Sequence, residues 1–198
     1  MKILAIGDIH GDKSLIQKVA SKSIEENVDA IVICGDLSAP NNDLDGMIGP
    51  LKQTNKRVFL MHGNHDNKAT MQVLSELYQT NFLHSDSYQI DDVSLVGCGG
   101  SNIGPEALSE HQLKTYLDNA FTKAQTQKKI LITHNHPESN MASLSDFVPP
   151  STAIAKAIQT HQPDIAICAH IHEGSGIEEQ IGKTRLINVS KNPTIINL

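Results

Sequence analysis

Five short clusters of carboxylate, amide and imidazole side chains occur along this chain, each directly after an apolar run. Gly7-Asp8-Ile9-His10 follows KILAI, Gly35-Asp36 follows AIVIC, and His62-Gly63-Asn64-His65-Asp66 follows RVFLM. Thr133-His134-Asn135-His136 closes the run KKILIT, and Ala169-His170-Ile171-His172 follows DIAIC. Taken singly, each is weak: an Asp-x-His triplet or a Gly-Asp pair is more often a turn with a capping Asp. His-x-His only sets two rings on one face of an extended segment. Five in a row are hard to read as independent turns, because turns have no need of imidazole. Imidazole, carboxylate and amide oxygen suit borderline divalent metals, and no cysteine pair points to a structural zinc–thiolate site.

The elements that must carry these clusters alternate between strands and amphipathic helices. Strands are expected at Lys2–Ile6, Asp29–Cys34, Arg57–Met61, Lys129–Thr133 and Asp164–Cys168. A hairpin is expected from Tyr88–Ile90 and Val93–Cys98 across Asp91-Asp92. Helical faces are marked by Leu15, Ile16, Val19, Ala20 and Ile24, by Met71, Leu74, Leu77 and Tyr78, and by Leu113 through Ala124. Ser109 with Gln112 resembles a capping box. Ser151–His161 is a further short helix. After Gly174 come short strands at Gly176–Ile181, Thr184–Val189 and Thr194–Asn197. Asp43–Leu51 is ambiguous, since its apolar spacing is helical but Gly49-Pro50 would break or kink a helix. Asn135–Pro150 reads as a long polar loop. The pattern implies one α/β domain over residues 1–198 with helices outside a mixed sheet core. In open α/β folds, sites form where loops leave the carboxyl ends of strands, which is where the five clusters lie.

Bulk composition narrows the function classes. The hydrophobic share of 39% suits a globular domain, and the net charge of -6 suggests neither a nucleic-acid nor a membrane surface. A net negative protein can still bind phosphate if metal ions set the local charge. Cys34, Cys98 and Cys168 each end an apolar run, so they read as buried thiols rather than a disulfide framework, which favours a reducing compartment. The apolar run at the N-terminus is too short for a signal peptide, and the expectation is a cytoplasmic protein.

The ordered clusters resemble the calcineurin-like metallophosphoesterase superfamily, whose blocks run Asp-x-His, Gly-Asp, Gly-Asn-His-Asp/Glu, His and Gly-His-x-His. Here they stand as GDIH, GD, GNHD, TH and AHIH, from residue 7 to residue 172. The short inserts and the tail HIHEGSG…IGKTRLINVS look most like the small prokaryotic branch related to the Icc phosphodiesterases. The resemblance implies a four-layer α-β-β-α sandwich of two mixed sheets flanked by helices. It implies that Asp8, His10, Asp36 and His172 hold one metal, and that Asp36, Asn64, His134 and His170 hold the other, with Asp36 bridging. His65 would bind no metal; it would hydrogen-bond a phosphoryl oxygen and protonate the leaving alkoxide. The implied cofactors are two divalent or mixed-valence ions, Mn favoured, with Fe, Zn or Ni as alternatives. Two such ions with two carboxylates leave about two positive charges, and ions about 3.5–4 Å apart can share a hydroxide nucleophile. The implied activity is metal-dependent hydrolysis of a small phosphomonoester or phosphodiester, as a phosphatase or phosphodiesterase. The alternative is a non-catalytic interaction module on the same scaffold, which the histidine of Gly-Asn-His, present as His65, argues against.

Some positions depart from the pattern or stand outside it. The last block begins with Ala169 in place of Gly. If that position needed φ > 0, Ala would be strained by about 1–2 kcal/mol; otherwise only a small side chain is required. The Gly-Asp-x-x-Asp-Arg-Gly block of Ser/Thr protein phosphatases is missing, and the only arginines are Arg57 and Arg185. His62 and His136 read as supporting or loop histidines, and His84, His111 and His161 as surface or core residues. Asp12 reads as a cap for the first helix, Asp66-Asn67 as capping residues for the helix after them, and Asp66 alternatively as an acceptor for His65. Selectivity would come from Ser38–Pro50, Ser101–Glu110 and Asn135–Pro150. None of these carries the aromatic cluster or basic patch that would mark nucleotide binding.

Overall fold

The central strands are apolar at successive positions and point their side chains to opposite faces in turn, so two sheets pack face to face and each keeps a second apolar face for helices. The structure, a computed structural model, describes residues 1–38, 44–105, 107–144 and 147–198. One sheet has five strands: β1 (Lys2–Ile6), β2 (Ala30–Cys34), β3 (Arg57–Met61), β4 (Asn81–Phe82) and β11 (Thr194–Asn197), in the order β11-β1-β2-β3-β4. β1 to β4 run parallel and β11 antiparallel to β1. The other has six: β5 (Asp86–Ile90), β6 (Val93–Cys98), β7 (Lys128–Thr133), β8 (Ile165–Cys168), β9 (Glu178–Ile181) and β10 (Thr184–Asn188), in the order β5-β6-β7-β8-β10-β9. Its central strands are parallel, and its edge strands β5 and β9 are antiparallel.

The alternation decides which core each residue joins. Ile3 and Ala5 of β1, Ala30, Val32 and Cys34 of β2, and Ile130 and Ile132 of β7 pack between the sheets. Leu4, Ile6, Ile31 and Ile33 face the other way, onto α1 (Lys13–Glu25), α2 (Gly49–Gln53) and α3 (Lys68–Leu77). Leu131, Val96 and Ala166 meet α4 (Glu110–Lys123) and α5 (Thr152–His161). These three apolar layers make the expected four-layer α-β-β-α sandwich.

The helix starts follow from capping. Asp12 accepts from the amides of Ser14 and Leu15, as expected for the N-cap of α1. Ser109 and Gln112 form the expected capping box on α4. Pro50 does not break a helix. It lies in the first turn of α2, where its missing N–H costs no hydrogen bond. This settles the ambiguous segment Asp43–Leu51, whose first residue falls in 39–43, outside the described residues: 45–47 form a turn, and the helix starts at Gly49. The loop 135–150 includes a short 3₁₀ turn, Asn140–Leu144, and residues 145–146 of it are likewise outside the described set. β4 has too few residues to show a period and was not expected. The strand expected from Gly176 begins only at Glu178. Cys34, Cys98 and Cys168 are free and buried at strand ends, as expected.

Candidate metal centre

Backbone hydrogen bonds continue past the strand ends and join the motif loops to one another. Asp8 N–H donates to Gly35 O (3.1 Å), His10 N–H to Asp36 O (2.9 Å), and Ala169 N–H to His134 O (3.0 Å). The loops after β1, β2, β7 and β8 are thereby held at one end of the sandwich. Four motif residues there take the left-handed backbone: Asp8 (φ +57°), His10 (+48°), Asp36 (+52°) and His170 (+74°). Asp and His tolerate this region better than most residues, but each still costs about 1 kcal/mol or more. Such clustered strain marks a place where side-chain direction outweighs local comfort.

Both carboxylates are arranged alike. Asp8 Oδ2 accepts from the His170 amide (2.9 Å), and Asp36 Oδ1 accepts from the His65 amide (2.8 Å). The second oxygen of each turns into the cleft. Asp36 Oδ2 lies between His10 Nε2 (3.8 Å) and His134 Nε2 (3.5 Å). Asp8 Oδ1 is buried and has no aligned hydrogen-bond donor among the described residues, although His172 Nε2 stands 3.3 Å away. A buried carboxylate oxygen left in this state is a position a cation would satisfy. His134 Nε2 is also 2.9 Å from Asn64 Oδ1.

Two groups of side chains are close enough to share an ion, with all candidate atoms in each group within 4.8 Å: Asp8, Asp36, His134 and His170, and Asp8, His10 and His172. Asp8 belongs to both. Asn64 completes the first group through its contact with His134. His65 stands apart: it is exposed, with its ring 5.2 Å from that of His10. The structure brings the seven expected residues together: Asp8, His10, Asp36, Asn64, His170 and His172 line one cleft with His65, and His134 lies fully buried behind Asp36 and Asn64.

The electrostatics reflect burial working against the carboxylates. Burial alone would raise the pKa of Asp8, but the close His172 ring, the charge of His134 and the His170 amide outweigh it and hold it well below the usual carboxylate range. Burial likewise opposes charge on His134, yet Asp36 and Asp8 raise its pKa above the ordinary value. Burial and the nearby His134 charge push His170 down to about 2, so its ring is neutral, as a metal ligand requires.

Small residues let these groups approach. A Cβ on Gly63 would fall 2.0 Å from Asp36 Oδ1, so the Gly of Gly-Asn-His is required by the carboxylate packed against it. A Cβ on Gly7 would fall 2.5 Å from the Cβ of Ala169. The departure at Ala169 is thus one of size: the left-handed residue is its neighbour His170.

Asp66 has a different role from the one expected. It is neither a helix cap, which is Asn67, nor an acceptor for the His65 ring. Its buried carboxylate accepts from Leu37 N–H (3.2 Å), Ser38 N–H (2.9 Å), Ser38 Oγ (2.7 Å) and Gly63 N–H (3.0 Å), joining the loops after β2 and β3. His62 and His136 are buried and do not line the cleft. His84 is buried against His62 and Tyr116; His161 stacks on Phe121; His111 is exposed. Sequence reasoning missed Ser101, whose buried hydroxyl sits 3.1 Å from His170 Nε2, and a lone serine after Gly99-Gly100 carries no signal for that. Glu173 was missed as a cleft residue too. Ile103, Phe147 and Val148 also line the cleft; they lie in two of the loops expected to set selectivity, but no spacing singles them out. A separate hollow of about 450 Å³ between α3, β5 and α4 contains none of the motif residues.

A family model described as calcineurin-like phosphoesterase matches residues 1–174. Among solved structures, the chain is similar to TT1561 of Thermus thermophilus, at TM-score 0.78 and 18% identity, covering 94% of this chain and 88% of that one. It is similar to a dimetal phosphatase from Danio rerio at TM-score 0.67 and 16% identity, covering 95% and 86%. A third likeness is to an archaeal phosphodiesterase, at TM-score 0.57 and 19% identity, covering 95% and 82%. At these identities the likeness is one of fold. No curated protein matches the sequence.

Proposed function

This chain belongs to the calcineurin-like phosphoesterase family, and from that premise we propose that it is a dinuclear metal-dependent hydrolase of a small phosphate mono- or diester. The observation that carries the reading is the paired carboxylate geometry. Asp8 and Asp36 each have one oxygen held by a backbone amide and the other turned toward histidines in a shared cleft. In this reading Asp8, His10, Asp36 and His172 hold one ion, and Asp36, Asn64, His134 and His170 the other. When bound, the two ions would supply positive charge to the phosphoryl oxygens and an activated water as the nucleophile. Mn is the favoured metal, with Fe, Zn and Ni also compatible with this mixed N/O set.

The chain's own residues do the rest. Asp36 Oδ2, 3.8 Å from His10 and 3.5 Å from His134, is the oxygen that both proposed ligand sets would share. Asn64 contributes a neutral oxygen, so the ligand set does not cancel the charge that attracts phosphate. His65, bound to Asp36 only through its main chain, leaves its ring free to hydrogen-bond a phosphoryl oxygen and give a proton to the leaving alkoxide. A cytoplasmic location belongs to the same proposal, and the free buried thiols suit a reducing compartment. No helix among the described residues is long and apolar enough to cross a membrane.

The test is metal analysis together with hydrolysis of aryl phosphate mono- and diesters by Mn-loaded protein. Bound metal with turnover supports the reading. Metal bound with no turnover on any ester would instead point to an interaction module, and no bound metal would remove the premise.

A further inference from the structure

The cleft lined by Asp8, His10, Asp36, Asn64, His65, His170 and His172 has a volume of about 370 Å³, and four further residues complete its wall: Ile103, Phe147, Val148 and Glu173. They come from the loops before α4 and before α5 and from the turn beside His172. Phe147 is 88% exposed, the most exposed large hydrophobic side chain among the described residues, and Ile103 is 38% exposed. Scattered exposed apolar residues are ordinary, but two of them in the wall of one polar cleft are not scattered. No Lys or Arg lines this cleft among the described residues, and Glu173 adds a carboxylate at its edge. Beyond the position of a phosphate, the wall therefore offers apolar contact and no cationic partner for a second anionic group. The volume suits a phosphate with one ring system attached, at the small end of the range for ligand sites.

Resting on the phosphoesterase reading above, we propose that Phe147, with Ile103, is a specificity-determining contact that selects phosphate esters whose organic part is aromatic. An aromatic group gains offset or edge contact with the Phe147 ring and covers apolar surface that otherwise faces water. A short aliphatic group covers little of it. A polyphosphate would meet Glu173 with no compensating cation.

Non-hydrolysable phosphonates test this without the confounding effect of leaving-group reactivity. Phenylphosphonate and methylphosphonate are titrated against Mn-loaded full-length protein by calorimetry, with metal content measured in parallel. Phenylphosphonate should bind about tenfold tighter than methylphosphonate, the scale expected for covering one apolar ring. Phe147→Ala should bring that ratio close to one while leaving metal content and methylphosphonate affinity unchanged. Phe147→Tyr should keep the preference. Because Phe147 is almost fully exposed, its truncation removes no core contact. Equal affinities in the unaltered protein, or a preference that survives both Phe147→Ala and Ile103→Ala, would overturn the proposal. Binding of neither phosphonate by metal-loaded protein would overturn the phosphoesterase reading itself, and the inference with it.

Discussion

Nδ1 of His134 lies 2.8 Å from the main-chain carbonyl of Cys34 at the end of β2. A carbonyl only accepts, so Nδ1 carries the hydrogen and donates it. The ring is fixed with Nε2 toward Asn64 and Asp36, and the strand that delivers Asp36 also orients a proposed ligand from the opposite sheet. His134→Ala should therefore lose more than a ligand. It leaves the Cys34 carbonyl buried without this partner, at a cost of about 1–3 kcal/mol. Bound metal per chain, measured by elemental analysis, should drop by about half or more, with one of the two ligand groups disabled. Full metal content in a folded variant would contradict the assignment.

Ser101 should matter to metal affinity while touching no metal. Its buried hydroxyl contacts His170 Nε2, which leaves Nδ1 as the nitrogen available to an ion. Ser101→Ala frees the ring to turn or change tautomer. Metal affinity should fall about 10–100-fold, as for other residues that orient metal-binding histidines. Competition with a chromogenic chelator reads this directly. Thermal stability should change little, so an unaltered affinity would leave Ser101 with only a packing role.

Asp36 and His65 should separate into different kinds of loss. Asp36→Asn should reduce both metal content and turnover. His65→Ala keeps the backbone amide that holds Asp36 Oδ1, so metal content should stay at the unaltered level. The rate on alkyl esters should fall about 10²–10⁴-fold, the usual scale for a lost general acid. Esters with good aryl leaving groups need less protonation and should lose less. Equal losses on both ester types would remove the proton-donor role.

The chain order made much of this readable in advance. KILAI, AIVIC, RVFLM, KKILIT and DIAIC stand out as short apolar runs, and Asp8, Asp36, Asn64, His134 and His170 all follow such runs, so a site at strand ends was legible. Which face of each strand met a helix and which met the second sheet was not, because both partners are equally apolar to a local window. β4 pairs only Asn81 and Phe82 with β3, too short to show any period. Ser101 and Phe147 owe their places to tertiary proximity across long stretches of sequence, and no spacing rule reaches that far. Asp66 was misread for a similar reason. Its position after Gly-Asn-His looks like a cap, while the amides it receives, Leu37 and Ser38, come from a loop about thirty residues earlier.

Asp66→Ala should therefore be among the more damaging single changes outside the ligand set. It removes one acceptor from three backbone amides and the Ser38 hydroxyl, all in the buried junction of the β2 and β3 loops. With each unpartnered buried donor costing about 1–3 kcal/mol, the sum is about 3 kcal/mol or more. Chemical denaturation should show that loss, and metal binding should weaken as Asp36 and Asn64 lose their fixed spacing. A change below about 1 kcal/mol would mean that water or neighbouring groups replace the carboxylate.

His84 gives a pH dependence of stability whose sign is fixed by burial. Its ring is packed against His62 at 4.5 Å and Tyr116 at 4.6 Å, centroid to centroid. Burial first, and the charge of Lys68 second, push its pKa from the ordinary 6.5 down to about 4. The folded protein thus keeps His84 neutral where the unfolded chain already binds a proton. Stability from this residue is complete above the unfolded value of 6.5 and is lost as pH falls from 6.5 toward about 4. The slope is about 1.4 kcal/mol per pH unit for one group. His84→Phe retains a ring in that position and removes the titration. Denaturation midpoints between pH 7 and pH 4 should fall less steeply for the variant, by about that slope. Parallel curves would show that His84 is protonated alike in both states, contrary to its burial.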